Sequence, residues 1–202
     1  MAEDYDIAGV VLAGGRSRRF GSDKRFFELG GKTLFDIACT KVRSVGASLY
    51  VAADEAFLRE AQFPEEARCV VDVREGQGPL MGVYSALHAI EERACLVVPV
   101  DMPFLEPALL RHLVRLARGR DIVVSRPERP LPLPGVYGKR LLPLMEEALG
   151  RGDNSLVSLI GAAEARHGID VAYVGAEDLV LFGNPSLMLR NLNTPEDVAD
   201  LE

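Results

Sequence analysis

The stretch Val10-Val-Leu-Ala-Gly-Gly-Arg-Ser-Arg-Arg-Phe-Gly-Ser-Asp-Lys24 decides the fold. An apolar run stops at a glycine pair, and the next ten residues, Arg16 to Arg25, carry five basic side chains against one acid, Asp23. Ile7 to Leu12 therefore reads as a buried central strand whose carboxyl end opens into a loop suited to a polyanion. Gly14 and Gly15 let the main chain approach a ligand closely, so that successive amides converge on phosphate oxygens while Arg and Lys neutralise charge. Two common phosphate motifs do not fit. Five residues rather than four separate Gly15 from Gly21, and Ser22-Asp23 follow where a Walker A loop needs Lys and a hydroxyl; Gly14-Gly15-Arg16 also lacks GxGxxG spacing.

Outward from this loop the same unit recurs. Thr33 with Asp36 is a capping pair for a helix that ends at Gly46. Leu49 to Ala53 reads as a strand, Glu55 to Gln62 as a short helix, Cys69 to Val73 as a third strand, and Leu80 to Arg93 as a helix with apolar residues at helical spacing. Cys95 to Val100 is the most hydrophobic strand, and Pro107 opens a helix that turns Leu109, Leu110, Leu113 and Leu116 inward. Alternating strands and helices over residues 7 to 125 predict an α/β fold: a three-layer, Rossmann-like arrangement with a mostly parallel central sheet and helices on both faces. Beyond Ser125, prolines 127, 130, 132 and 134 predict an irregular connection. Helices over Leu141 to Leu149 and Ser155 to Glu164, a strand over Ile169 to Val174 in an antiparallel setting, and a terminal helix opened by Thr194-Pro195 complete the pattern. One domain of residues 1–202 is expected, with a nucleotide-binding half (1–125) and an acceptor-binding half (126–202).

The net charge of -7 argues against bulk nucleic-acid binding and favours a single anionic small molecule at the basic loop. No apolar run reaches membrane-spanning length, and residues 1–6 are too short and acidic for a signal peptide, so a cytoplasmic protein without membrane contact is expected. Cys39, Cys69 and Cys95 lack metal spacing and read as buried reduced thiols. His88, His112 and His167 fall away from the strand exits.

Ligands in such folds bind beyond the carboxyl ends of the strands, where Asp72 and Asp101 fall with Gly14. Asp101, at the exit of the most buried strand, needs a partner against desolvation. A divalent cation held by this carboxylate and substrate phosphates supplies one; capping the turn toward Pro107 is the structural alternative. Asp72 offers two acceptors matching the adjacent N1–H and 2-amino donors of guanine, or ends a strand in a turn. Gly78-Pro79-Leu80-Met81-Gly82 gives either close ligand approach or helix packing.

Together, Leu-Ala-Gly-Gly-x3-Arg-x-Gly-x2-Lys at 12–24, Gly-Pro-Leu-x-Gly at 78–82, Asp-x-Pro-Phe at 101–104 and Asn-x-Asn-Thr-Pro at 191–195 resemble the molybdenum cofactor guanylyltransferases, in order and over essentially the full chain. The resemblance implies Mg²⁺-dependent transfer of GMP from GTP to the phosphate of molybdopterin, with release of pyrophosphate. It implies that Leu12, Ala13, Gly14 and Gly15 contact the nucleotide, Arg19 and Lys24 its phosphates and the leaving group, Asp72 the guanine and Asp101 the Mg²⁺. Asn191 and Asn193 fall on the acceptor side, and transient contact with cofactor-delivering or molybdoenzyme proteins is implied too. The chain has Ala52 and Leu131-Pro132 where the family commonly has Asn and His-Pro. Two other readings are a cytidylyltransferase acting on another small phosphorylated acceptor and a non-catalytic nucleotide-binding delivery protein.

Overall fold

A strand made of Ala8, Val10 and Val11 between small residues can accept layers on both sides, and β1 (Ile7–Leu12) does so third in a seven-stranded sheet. A computed structural model describes residues 6–14, 23–71, 78–194 and 197. β1 pairs in parallel with β4 (Leu49–Ala53), which pairs in parallel with the edge strand β5 (Arg68–Val71). On its other side β1 pairs in parallel with β6 (Ala94–Pro99). The chain thus winds away from β1 in both directions, and the carboxyl ends of β1 and β6 flank the crevice in which ligands bind in this topology. Between β1 and α1 (Leu34–Arg43), strands β2 (Glu28–Leu29) and β3 (Lys32–Thr33) form a small hairpin. Thr33 and Asp36 make the expected reciprocal cap of α1.

Alternation along each strand sorts the core into two layers. Val11, Val51, Leu96 and Val98 pack against α1 and α4 (Pro107–Leu116) through Phe35, Val42, Leu109 and Leu113. Val10, Tyr50, Cys95 and Val97 face the other way, toward α3 (Gly78–Ala89), α5 (Leu142–Gly150) and α6 (Leu156–Glu164). The short helices α2 (Glu55–Glu60), α7 (Ala176–Leu179) and α8 (Pro185–Met188) lie between strands and loops on the sheet margins. Among the described residues, no helix is long and apolar enough to cross a membrane.

The second half corrects two expectations and the first half one. The proline-rich connection contains a strand, β8 (Leu131–Gly138), inserted antiparallel between β6 and β7 (Ile122–Arg126). Its pairs with β6 involve only residues 135–138, and its register with β7 jumps from Gly135 to Leu131. Pro132 and Pro134 fall in the skipped segment, where no ladder donor is needed. The last strand, β9 (Val171–Gly175), is parallel to β7 rather than antiparallel. β8 ends at the amino edge of the sheet, and α5 followed by α6 carries the chain out and back, so β9 starts from that edge. Cys39 and Cys95 are buried free thiols, but Cys69 is exposed because edge strand β5 buries only Val70. The helix expected after Thr194 lies largely outside the described residues.

Candidate active site

Lys24 opens a single 3-10 turn, Lys24–Phe26, capped by the Asp23 carboxylate, which accepts the Arg25 amide at 3.0 Å. Its ammonium donates to Asp101 Oδ2 at 2.8 Å and to Asn193 Oδ1 at 3.4 Å. Asp101 lies two residues past the end of β6, and Val100 N–H between them donates to the Leu12 carbonyl at 3.3 Å, fixing this exit beside the end of β1. The side chains of Lys24 and Asp101 are 14% and 22% exposed, so the pair is shielded enough to attract strongly yet open to an incoming anion. The partner that the Asp101 carboxylate requires is, in this structure, the Lys24 ammonium.

The terminal loop is built onto the same spot. Leu192 is fully buried, and its N–H donates to the Asp101 carbonyl at 2.8 Å. With Leu192 anchored inward, Asn191 and Asn193 are exposed on either side of it. Asp197 Oδ2 accepts from Asn193 N–H at 2.7 Å and from Thr194 N–H at 2.9 Å. Those two backbone donors, Asn193 first, hold the Asp197 carboxyl below its ordinary range. The structure therefore brings Asn193 to Lys24 and Asp101.

The ends of the basic loop meet at Arg25. Its Nε and Nη2 donate to the Asp23 carboxylate, the Nε bonds at 2.8 and 2.9 Å and the Nη2 bond at 2.5 Å. Its Nη1 donates to the Ala13 carbonyl at 2.8 Å and to Asp54 Oδ2 at 2.6 Å. The guanidinium also lies 4.1 Å from the centre of the Phe57 ring. Burial alone would lower the Arg25 pKa, but Asp23 and Asp54 outweigh it and leave it raised. Burial would raise Asp54, but the Phe57 amide and Arg25 hold its carboxyl below the ordinary 3.8. Arg25 is only 4% exposed, so this member of the basic run serves the protein's interior.

Several expected contacts are narrowed by burial. Leu12 and Ala13 have buried side chains, and Ala13 commits its N–H to the Ala52 carbonyl at 2.9 Å and its own carbonyl to Arg25. Gly14 is where the described main chain reaches solvent. Gly15, Arg19 and Asp72 lie outside the described residues. Farther along the carboxyl edge, a cleft of about 640 Å³ is lined by Arg129, Leu131, Pro132, Val157, Pro185 and Leu189 among others. Sequence reasoning missed Arg25 and Asp54 as internal members of the site and Leu192 as its anchor. The apolar Leu192 between two polar residues was the one local signal.

Among the described residues, no group of three or more His, Cys, Asp or Glu side chains could enclose a metal ion. A lone carboxylate suits a hard cation that takes its remaining ligands from water and substrate phosphates. Asp101, accessible and already matched to one cation at 2.8 Å, fits that use. A cation and Lys24 would compete for the carboxylate unless phosphate drew the lysine away.

This arrangement, a basic loop and an acid at the switch point of a doubly wound sheet, defines a nucleotidyltransferase. A family model, the MobA-like NTP transferase domain, matches residues 9–168, and the chain belongs to that family. Within it the chain is 34% identical to a "Probable molybdenum cofactor guanylyltransferase" of Geobacillus sp. strain WCH70, over 96% of this chain and 97% of the relative. It is 31% identical to one from Bacillus subtilis strain 168, over 96% and 93%. The crystal structure of molybdopterin-guanine dinucleotide biosynthesis protein A from Archaeoglobus fulgidus superimposes with a TM-score of 0.81 at 27% identity, covering 97% of each chain.

Proposed function

We propose that this enzyme transfers GMP from GTP to the terminal phosphate of molybdopterin, giving the guanine dinucleotide form of the cofactor and pyrophosphate. The observation that carries the reading is the Lys24 ammonium held 2.8 Å from Asp101 and 3.4 Å from Asn193, joining the phosphate loop, the β6 exit and the terminal loop at one point. A phosphate oxygen of the acceptor attacks the α-phosphorus, and the bond to the bridging oxygen breaks as pyrophosphate leaves with the electron pair. Such a transfer asks the protein for alignment and charge neutralisation rather than for a covalent nucleophile. Lys24 and Arg19 take the charge of the departing pyrophosphate, Gly14 and Gly15 admit the phosphates to the main chain, Leu12 and Ala13 floor the site, and Asp72 reads the guanine. Asp101 would hold a divalent cation, Mg²⁺ in this reading, which when bound supplies Lewis-acid neutralisation of phosphate oxygens.

The acceptor occupies the second half of the chain. The cleft beside Leu131, Pro132 and Pro185 offers a mostly apolar wall for a flat heterocycle, and Asn191 and Asn193 flank Leu192, where the segment that leaves Leu189 in its lining reaches the Asp101 carbonyl. The exposed apolar side chains Val157, Leu181 and Leu187 in this half are compatible with transient contact by a protein that delivers or receives the cofactor. The enzyme works in the cytoplasm without nucleic acid or membrane. Incubating purified protein with GTP, Mg²⁺ and molybdopterin is expected to release pyrophosphate only when all three are present, with the dinucleotide detected by mass spectrometry. GTP binding without turnover would instead favour the delivery-protein reading.

A further inference from the structure

We infer that Arg25 is a positioning residue for the donor site: its buried guanidinium fixes where Lys24 stands relative to the end of β1, and thereby the affinity for the triphosphate. The inference rests on the proposed function and assigns Arg25 no contact with substrate.

Three segments converge on the one side chain. Ala13, which leaves β1, accepts from Nη1; Asp54, which leaves β4 and caps α2 by accepting Phe57 N–H at 3.0 Å, accepts from the same nitrogen. Asp23, ten positions after Ala13, accepts from the other two nitrogens and also caps the turn that begins with Lys24. The turn is steadied on its far side by Phe26, whose ring lies 5.3 Å from that of Phe57. A residue adjacent to Lys24 is thus bolted to the two strands that flank the phosphate loop's origin, while Lys24 itself points to Asp101.

Stability alone explains this poorly. Burying a guanidinium with two carboxylates carries a large desolvation cost, and a well-packed apolar side chain of similar volume often does as well or better. What an apolar residue cannot supply is a planar fork that holds three acceptors at fixed angles, and a lysine cannot supply it either, having one nitrogen for partners that require three. The fork fixes the geometry of the turn, and the function it serves is the placement of Lys24.

The test is calorimetric binding of GTP to the full chain, well below each variant's melting temperature, with KM values for both substrates from pyrophosphate release. Arg25→Lys is expected to weaken GTP binding about tenfold or more, the size of a lost charged hydrogen bond, and to leave the KM for the acceptor unchanged. Because Arg25 acts through Lys24, the Lys24→Ala, Arg25→Lys double variant should bind no more weakly than Lys24→Ala alone, whereas additive losses would overturn the inference. GTP affinity equal to wild type in Arg25→Lys, with only a lower melting temperature, would overturn it as well. If Arg25→Lys does not fold, Asp23→Asn carries the test at the partly exposed end of the fork: weaker GTP binding supports the inference and unchanged binding refutes it. Wild-type protein that fails to bind GTP would refute the proposed function itself, a result distinct from equal binding by both proteins.

Discussion

Replacing Asp101 with Asn separates the two partners that this carboxylate serves. In the structure Asp101 pairs with Lys24 at 2.8 Å, at side-chain exposures of 22% and 14%. That setting lies between exposed pairs, worth about 0.2–1 kcal/mol, and buried ones, whose disruption costs about 3–5 kcal/mol. Asp101→Asn leaves Lys24 an amide oxygen at the same place and Asn193 Oδ1 at 3.4 Å, so a stability loss of about 1 kcal/mol is expected. At this chain length that lowers the melting temperature by about 2–4 °C. The functional effects have opposite signs. Without metal, the variant should bind GTP about two- to fivefold more tightly than wild type, because Lys24 no longer has to leave a carboxylate and one repulsive charge is gone. With Mg²⁺, turnover should fall at least about a hundredfold, the scale of losing one preorganised electrostatic contact. Calorimetry in chelator and a pyrophosphate assay in Mg²⁺ read the two effects. Turnover within tenfold of wild type, or weaker metal-free binding, would refute the assignment of Asp101 as both partner of Lys24 and cation ligand.

Two predictions concern the scaffold. A methyl group at Gly135 would stand 2.7 Å from the Pro132 carbonyl oxygen, 2.8 Å from Val124 Cγ1 and 3.1 Å from Tyr137 Cε2, so Gly135→Ala should lower the urea midpoint by the equivalent of about 1–3 kcal/mol without changing the slope; an unchanged midpoint would contradict the packing described for β8. Asp54, held below its ordinary 3.8 in the folded state, contributes stability that is fully present above that value and is lost as pH falls through the folded pKa. Wild type should therefore lose its advantage over Asp54→Asn as pH falls below about 4 in urea titrations, and parallel curves would contradict the Arg25–Asp54 pairing.

What could be read from the sequence followed from how each segment is buried. β1, β4 and β6 are short apolar runs because helices cover both faces, and Thr33 with Asp36 or Pro107 mark helix starts through local chemistry alone. β8 was hidden because its prolines argue against a central strand unless one knows that residues 132–134 drop out of the ladder. The direction of β9 depended on two helices carrying the chain back to the amino edge. In the site, Lys24, Asp101 and Asn193 were legible as motif residues, and the structure joins them. Arg25 was not, since its burial is created by Asp54 and Phe57, about thirty positions away, and a basic run offers no sign of which member turns inward.

The proposed reaction is guanylyl transfer to a molybdopterin phosphate. Its most direct test is pyrophosphate release measured with each of the four nucleoside triphosphates in turn, with and without molybdopterin. Release is expected with GTP and molybdopterin together, far above the other three nucleotides, with that preference lost in Asp72→Ala. Equal release with CTP, a GTP preference that survives Asp72→Ala, or release independent of molybdopterin would contradict it.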